Sequence, residues 1–328
     1  MKLTVDCVLN HELASLQSAS ALARLLAKAH VAQLDVPLEA LTCQQLGLNE
    51  EGDWPIAAIS AAADGLVIGD SYWLRADPVH FVMQRDCFSL SEPAPLLVDS
   101  AHAAQMVASL NTHFAQDGLL FCIGKSGAWY LRADKAAQIT TTLPSVAMDK
   151  NVHHFMPQGV DAAKWKSILN EVQMLLHDHP TNEARESSGE LVVNSIWLYG
   201  GGVMPAFKAL QHNVELIFAS DVLNQGLATW ANIAYQPVPM SLGEILQSTA
   251  QHVRLALPQS NHSQTTQSGH NLFDETWFAP IFAALESKQI EQLTLNLGFY
   301  EKCLVVVIKH LDIYKFWRKA KPIMQYLE

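Results

Sequence analysis

The stretch Asn194-Ser195-Ile196-Trp197-Leu198-Tyr199-Gly200-Gly201-Gly202-Val203-Met204-Pro205 has the most specific spacing in the chain. A strand that runs into three glycines lets backbone amides approach a neighbour closely, and converging amides suit an anion. The stretch lacks the G-x-G-x-x-G spacing and the lysine of a phosphate loop, so spacing alone predicts a tight structural turn. Arg75, Asp77 and His80 form a second cluster, after another strand-like run. Arginine is the natural two-pronged partner of a carboxylate or a phosphate. The plain alternative is an Arg75–Asp77 pair at a surface edge. His177, Asp178 and His179 have the composition of a metal site, but residues two apart on a helix point to different faces. Imidazolium near a helix C-terminus is favourable without any metal. His153-His154 is weaker still, and neither HExxH nor a Ser/His/Asp order is present. The tail carries Lys309, His310, Lys315, Arg318, Lys319 and Lys321, with Tyr314, Phe316 and Trp317 interleaved. Such a tail could meet RNA or an acidic partner; the expectation is that its aromatics pack inward while its cations are solvated.

These groups must be held by a folded scaffold. The chain has 328 residues, 49% of them apolar and only 16% charged, a balance typical of folded chains. Its formal charge is −11, which argues against general nucleic-acid binding, where affinity comes from neutralising phosphates. The five cysteines, at positions 7, 43, 87, 122 and 303, form no CxxC pair. They read as reduced, mostly buried thiols of a cytoplasmic protein. The first 30 residues lack the pattern of a signal peptide, so none is expected. Apolar runs such as Leu304–Ile308 are far shorter than the ~20 residues a membrane span needs.

Leu3, Val5, Cys7 and Leu9 alternate with polar neighbours and predict a strand. Asn10 is placed to cap a helix carrying Leu13, Leu16, Leu22, Leu25, Leu26 and Ala29. Helices are expected over 37–47, 55–63 and 100–116, and strands over 72–74, 79–90, 119–123 and 128–132. A domain boundary is placed in the unpatterned stretch 133–160. Asp161 predicts a helix start, Pro180 its end, and 181–190 a polar loop. Strands follow over 191–199, 214–219 and 253–257, with Ser220 as a helix cap. Residues 258–271 read as a polar loop. Trp277, Phe278, Ile281, Phe282 and Leu285 make a helical stripe around Pro280, 290–297 and 303–308 make a hairpin, and a closing helix starts at Leu311. Alternating strands and helices predict an α/β mixed sheet flanked by helices, with an inserted α+β subdomain. The expected division is 1–65 with 151–328, and 66–150. One echo, Tyr72–Asp77 against Trp129–Asp134, reads as two similar strand ends.

The segments Tyr72–His80, Ser195–Pro205, Ser220–Trp230 and Phe316-Trp317-Arg318 resemble the RpfE-type regulatory proteins. Those in turn are similar to archaeal-type cofactor-independent phosphoglycerate mutases of the alkaline phosphatase superfamily. Leu198–Pro205 resembles the mutase "RGxG…P", with Tyr199 in the place of Arg, and Ser220–Ala228 resembles "SAVDLIKGIA". The resemblance implies an alkaline-phosphatase-like core. In the family a serine nucleophile and two divalent metals, held by Asp and His, transfer a phosphoryl group. Here the same matching places Leu38 at the serine and Glu39 at the aspartate. Asp6 stands in for the first-strand ligand. Thr266-Gln267-Ser268-Gly269-His270 resembles "DEAGH" with the Asp lost, and Lys309-His310 falls on the late "DH" pair. A lysine repels a divalent cation.

The resulting expectation is a mutase-like protein without nucleophile, metal or cofactor, acting in regulation or ligand binding. A groove lined by Arg75, Asp77, His80, Ser195, Gly200, Gly201 and Gly202 would take a small phosphorylated or carboxylate ligand. Two alternatives stand beside it. One is an active phosphomonoesterase or mutase using Mn or another divalent cation, with Ser195 as nucleophile or His270 and His310 as an acid/base pair within about 8 Å of each other. The other is an interaction protein whose basic aromatic tail docks a protein partner. Neither nucleic acid nor membrane is expected as a partner.

Overall fold

The computed structural model describes residues 1–50, 52–92, 94–206, 212–258 and 271–327. They fall into two compact units, Met1–Gly47 with Leu210–Glu328, and Leu48–Ala209.

The first unit opens with β1 (Lys2–Val8), whose odd-numbered residues are buried as their alternation predicts. Helix α1 (His11–Ala14) is capped by Asn10, which accepts from the Leu13 amide at 2.9 Å. The helix expected to run on to Ala29 is instead broken, and α2 (Ala21–Lys28) restarts at Ser20. The cause is a better cap: the Asp274 carboxylate accepts from the Ala21 and Leu22 amides at 2.7 and 2.9 Å. Strand β2 (His30–Leu34) and α3 (Leu38–Gln45) follow.

The second unit then forms without interruption. It comprises α4 (Ile56–Ala63), β3 (Tyr72–Val79), the hairpin β4 (Phe81–Met83) and β5 (Phe88–Leu90), and α5 (Ser100–His113). Strands β6 (Leu119–Ile123), β7 (Trp129–Ala133) and β8 (Ile139–Thr140), helix α6 (Pro144–Ala147) and β9 (Gln158–Gly159) continue it. Helices α7 (Ala162–His177) and α8 (Pro180–Ser187) lead to β10 (Ser195–Gly202). Its sheet has the order β10-β3-β7-β6 and is antiparallel throughout. Segments 48–65 and 151–209 therefore belong with this unit, because β10 pairs with β3 and α7 packs under the same apolar cluster. The polar run 181–190 is largely helical, since Pro180 fits the first turn and His179 Nδ1 accepts from the Thr181 amide at 3.2 Å. The echo proves to be β3 lying antiparallel to β7, with Arg75 opposite Tyr130.

The chain returns to the first unit with β11 (Leu216–Phe218), α9 (Val222–Trp230), β12 (Ala234–Gln236), α10 (Leu242–Leu246) and β13 (His252–Ala256). Asp221, one residue past the expected Ser220, caps α9 by accepting from the Asn224 amide. A π-helical turn over Asp274–Phe278 carries the chain past Pro280 into α11 (Ala279–Glu286). Strands β14 (Gln292–Phe299) and β15 (Lys302–Lys309) form the predicted hairpin, and α12 (Met324–Leu327) ends the described chain. No long helix starts at Leu311; a short 3-10 turn, His310–Tyr314, stands there. The sheet order is β12-β11-β13-β1-β14-β15-β2. The first five strands run parallel and β15 runs against them. This is a mixed α/β sheet flanked by helices. One face is apolar: Leu3, Val5, Leu255, Leu293, Leu295 and Val306 pack against α2 and α11. Each such side chain, fully buried, contributes roughly 1.5–3 kcal/mol. The opposite face lies under α3 and carries polar groups.

Candidate functional site

In open α/β sheets ligands bind beyond the carboxyl ends of the parallel strands. There the first unit holds a buried polar cluster. Asp6 on β1 is in register with Asn296 on β14, and Thr4 with Arg254 on β13, so alternation turns Asp6, Arg254 and Asn296 to one face. Arg254 Nε donates to Asp6 Oδ2 at 2.5 Å and its Nη2 to Asp6 Oδ1 at 2.9 Å. Asn296 Nδ2 donates to the same Oδ1 at 2.7 Å. Arg254 also donates to Thr42 Oγ1 and Gln45 Oε1 of α3, each at 3.1 Å. Asp6, Arg254, Asn296 and Thr42 are all buried. Burial of such a charge is tolerated only when it is paired and hydrogen-bonded, and here both carboxylate oxygens are engaged.

The neighbourhood is otherwise inert. Leu38 opens the first turn of α3 and fills the space beside Gly298, where an added Cβ would come within 2.7 Å of the Leu38 Cβ. Burial, aided by nearby carboxylates, pushes the thiols of Cys7, Cys43 and Cys303 up to about 12. They are protonated and supply neither nucleophile nor thiolate ligand. Among the described residues no group of three or more His, Cys, Asp or Glu could hold a metal ion. The cluster does not fit a divalent cation: its one carboxylate already faces a guanidinium.

Sequence spacing gave no sign of Arg254, Asn296, Thr42 or Gln45. One signal was available. An arginine inside the apolar run Val253-Arg254-Leu255-Ala256 is costly to bury and demands a buried anion.

In the second unit Arg75 and Asp77 do come together, although not at a surface. Arg75 Nη2 lies 2.5 Å from Asp77 Oδ1, with side chains only 9% and 3% exposed. Tyr199 and Tyr130 flank Arg75 from the two neighbouring strands, their rings 5.9 and 4.9 Å from its Cζ. The Tyr199 hydroxyl donates to Asp77 Oδ2 at 2.9 Å. Arg75 Nη1 donates to Tyr130 Oη at 3.2 Å, and that hydroxyl donates on to Asp64 Oδ2 at 3.0 Å. Burial alone would lower the Arg75 pKa, but Asp77, Tyr199 and Tyr130 together raise it.

The three glycines are not a turn but the end of β10, which slips register between Tyr199 and Gly202. Their amides do meet an anion, and it is internal. The Gly201 amide donates to Asp53 Oδ2 at 3.2 Å, and the Gly200 amide to Thr141 Oγ1 at 3.0 Å. Thr141 in turn donates to Asp53 from both its hydroxyl and its amide. Glycine is required by close approach: a Cβ on Gly201 would lie 2.1 Å from Tyr72 Oη, and one on Gly202 2.6 Å from Pro55 Cβ. Gly200 also needs its φ of +69°.

The expected groove is thus closed. Arg75, Asp77, Gly200 and Gly201 are buried in internal bonds, and His80 Nδ1 is spent on the Val192 carbonyl at 2.9 Å. Ser195 is fully buried, with Gln173 Nε2 at 3.4 Å and no base hydrogen-bonded to it among the described residues, a setting unsuited to a nucleophile. His270 lies outside the described residues. His310 stands level with Glu291, five residues from Asn296 along β14. At ~3.3 Å per residue that is the opposite, amino end of the sheet, remote from the Asp6 cluster. Its Nδ1 meets the Leu285 carbonyl at 2.6 Å. His177, predicted as a solvated helix end, is exposed beside Asp178.

The structure does bring one serine and histidine together that the sequence did not suggest: Ser109 Oγ and His179 Nε2 are 3.0 Å apart. The Thr181 amide donates to His179 Nδ1, so the ring proton sits on Nε2 and is donated to Ser109. A base must accept at that position, so this tautomer is wrong for activating the serine.

No family model matches the chain. Its sequence relatives are 2,3-bisphosphoglycerate-independent phosphoglycerate mutases. That of Methanosarcina acetivorans is 26% identical over 152 residues, 44% of this chain and 38% of that protein. That of Methanosarcina barkeri is 25% identical over 142 residues, 42% of this chain and 35% of the relative. A probable mutase of Geobacter sulfurreducens is 22% identical over 161 residues, 48% and 40% of the two chains. The matched stretch therefore spans well under half the length of these curated relatives. Among solved structures, the cofactor-independent phosphoglycerate mutase of Thermoplasma acidophilum has a TM-score of 0.46 at 12% identity, covering 99% of this chain and 94% of that one. The chain is related to phosphoglycerate mutases, at low identity and over part of its length.

Proposed function

We propose that this chain is a phosphoglycerate-mutase-like protein of the RpfE type, built on an alkaline-phosphatase-like core, that has given up phosphoryl transfer. It works in the cytoplasm as a regulatory or binding protein. The observation that carries the reading is the closure of Asp6. The mutase resemblance sets this carboxylate in the place of the first-strand metal ligand, and Arg254 holds both of its oxygens. A guanidinium satisfies the buried charge that a cation would otherwise balance, and it cannot be deprotonated or exchanged. Leu38 at the position matched to the nucleophile supports the same reading, since an aliphatic side chain cannot attack phosphorus.

The test is conversion of 3-phosphoglycerate to 2-phosphoglycerate by the purified full chain with added manganese, followed by a thermal melt with and without the ion. No turnover and an unshifted melt are expected. Manganese-dependent turnover abolished by chelation overturns the proposal.

A further inference from the structure

Strand β2 is the last strand of the seven-stranded sheet, bonded only to β15 among the described strands. Its residues His30, Gln33 and Leu34 are exposed. A free edge of this kind presents backbone amides and carbonyls to any extended chain. Beside it lies a cavity of about 350 Å³ lined by Leu26, Ala27, Ala29 and Val31, and by Arg318, Lys319, Lys321 and Tyr326. Its floor is aliphatic, its rim is cationic, and no carboxylate lines it among the described residues.

Two further features mark the place. Firstly, the rim is held rigidly. Lys28 Nζ donates to the carbonyls of Lys315 and Arg318 at 2.8 and 3.2 Å, and Arg318 Nη1 donates to the Ala29 carbonyl at 2.7 Å. The same pinned segment leaves Phe316 86% and Trp317 66% exposed, against the expectation that they pack inward. Secondly, its charge is not fully neutralised among the described residues. Lys315 pairs with Asp312, but no carboxylate pairs with Lys319 or Lys321 among the described residues. In a chain of net charge −11, a concentration of unpaired cations around an apolar floor is a local reversal of the molecule's field.

We propose that this groove docks an extended acidic segment of a partner protein, added as a strand to the free edge of β2. Its carboxylates meet Lys319, Lys321 and Arg318, and its alternate apolar side chains lie on the half-buried Val31 and Tyr326 and on the displayed aromatic pair. A strand's alternation suits this division, with one side chain set on the floor and the other at the rim. The surface stands apart from the lost chemistry and does not depend on it.

The probe is a fluorescent ten-residue peptide alternating Glu and Val, titrated by anisotropy against the full chain. Binding is expected to weaken at least about tenfold in Lys319→Glu/Lys321→Glu and to fall with added salt. A peptide with proline at the alternate Val positions loses every second backbone donor and resists pairing with a strand edge, and is expected to bind at least about tenfold more weakly. Both lysines are solvent-facing, and an unchanged circular-dichroism melt confirms that the double variant is folded. The proposal is overturned by equal binding of a Lys/Val peptide, by equal binding of the proline peptide, or by indifference to the double substitution. It also falls if only vesicles with 30% phosphatidylserine, or only single-stranded RNA, are retained.

Discussion

Arg254 reaches Asp6 from a different strand, 248 positions away in the chain. Arg75 and Asp77 are two residues apart on one strand and share a face by simple alternation. Both pairs are buried, yet their surroundings differ. The first is completed by amides and a hydroxyl from Asn296, Gln45 and Thr42. The second is clamped between two tyrosine rings; the Tyr199 hydroxyl donates back to Asp77, and that of Tyr130 passes the network on to Asp64. The local pair was open to inspection in the sequence, and the distant one required knowledge of which strands lie side by side. In the first unit the pair closes the carboxyl end of the parallel strands, where ligands normally bind; in the second it stiffens an antiparallel sheet.

The largest effect is expected from Arg254→Leu. It strands Asp6 with Asn296 as its main donor and should cost about 3–5 kcal/mol in urea unfolding of that unit. A loss below about 1 kcal/mol would show that the Arg254 pair is no more than an ordinary hydrogen bond, against the difference drawn here. Arg75→Leu should cost less, about 3 kcal/mol at most, because Asp77 keeps the Tyr199 hydroxyl. Tyr199→Phe isolates that hydroxyl bond to a charged group, worth about 1.5 kcal/mol by the same measurement.

A pH experiment sharpens the role of the glycine amides. Burial holds the Asp53 carboxyl above its ordinary value, against the lowering pull of Thr141, Gly201 and Trp54. A raised carboxyl favours the folded state at low pH, and that contribution is lost as pH rises through the folded value. The wild type should therefore gain stability relative to Asp53→Asn as pH drops from about 7 to about 4. Denaturant midpoints at the two pH values check this, and a gap that moves the other way refutes the burial argument. The smallest effect is expected from Trp317→Ala, within about 0.5 kcal/mol, because the ring is mostly in water.

Much of the scaffold was legible. Alternation located β1, β6, β7, β13 and the β14–β15 hairpin, and capping located α1; α7 does begin after Asp161, but that carboxylate accepts from the Gln138 amide and does not cap the helix. The misses have physical causes. The single helix over 10–29 failed because Asp274, far along the chain, offers the amides of α2 a better acceptor than continued helix. The glycine triplet read as a turn because the tight contacts with Pro55 and Tyr72 are tertiary. The division at 66 and 150 was too narrow because nothing local announces that β10 pairs with β3. At the site, residue types were read correctly for Arg75 and Asp77, but their burial was not. An exposed groove and a closed ion pair have the same sequence.

The place of β1 in its sheet bears on how the chain is made. Its partners include β13, which begins 250 residues later, Lys2 lying opposite His252. At about 5–20 residues per second, a ribosome delivers that partner roughly 12–50 s after β1 has emerged. The stretch 48–209 is contiguous and can close its own sheet during that interval. Until then β1, with Leu3, Val5 and Cys7 uncovered, is a sticky ribbon. Arg254 arrives first and neutralises Asp6, and α11 and β14, about 25 to 45 residues later, then seal the apolar face, so both steps fall late in biosynthesis.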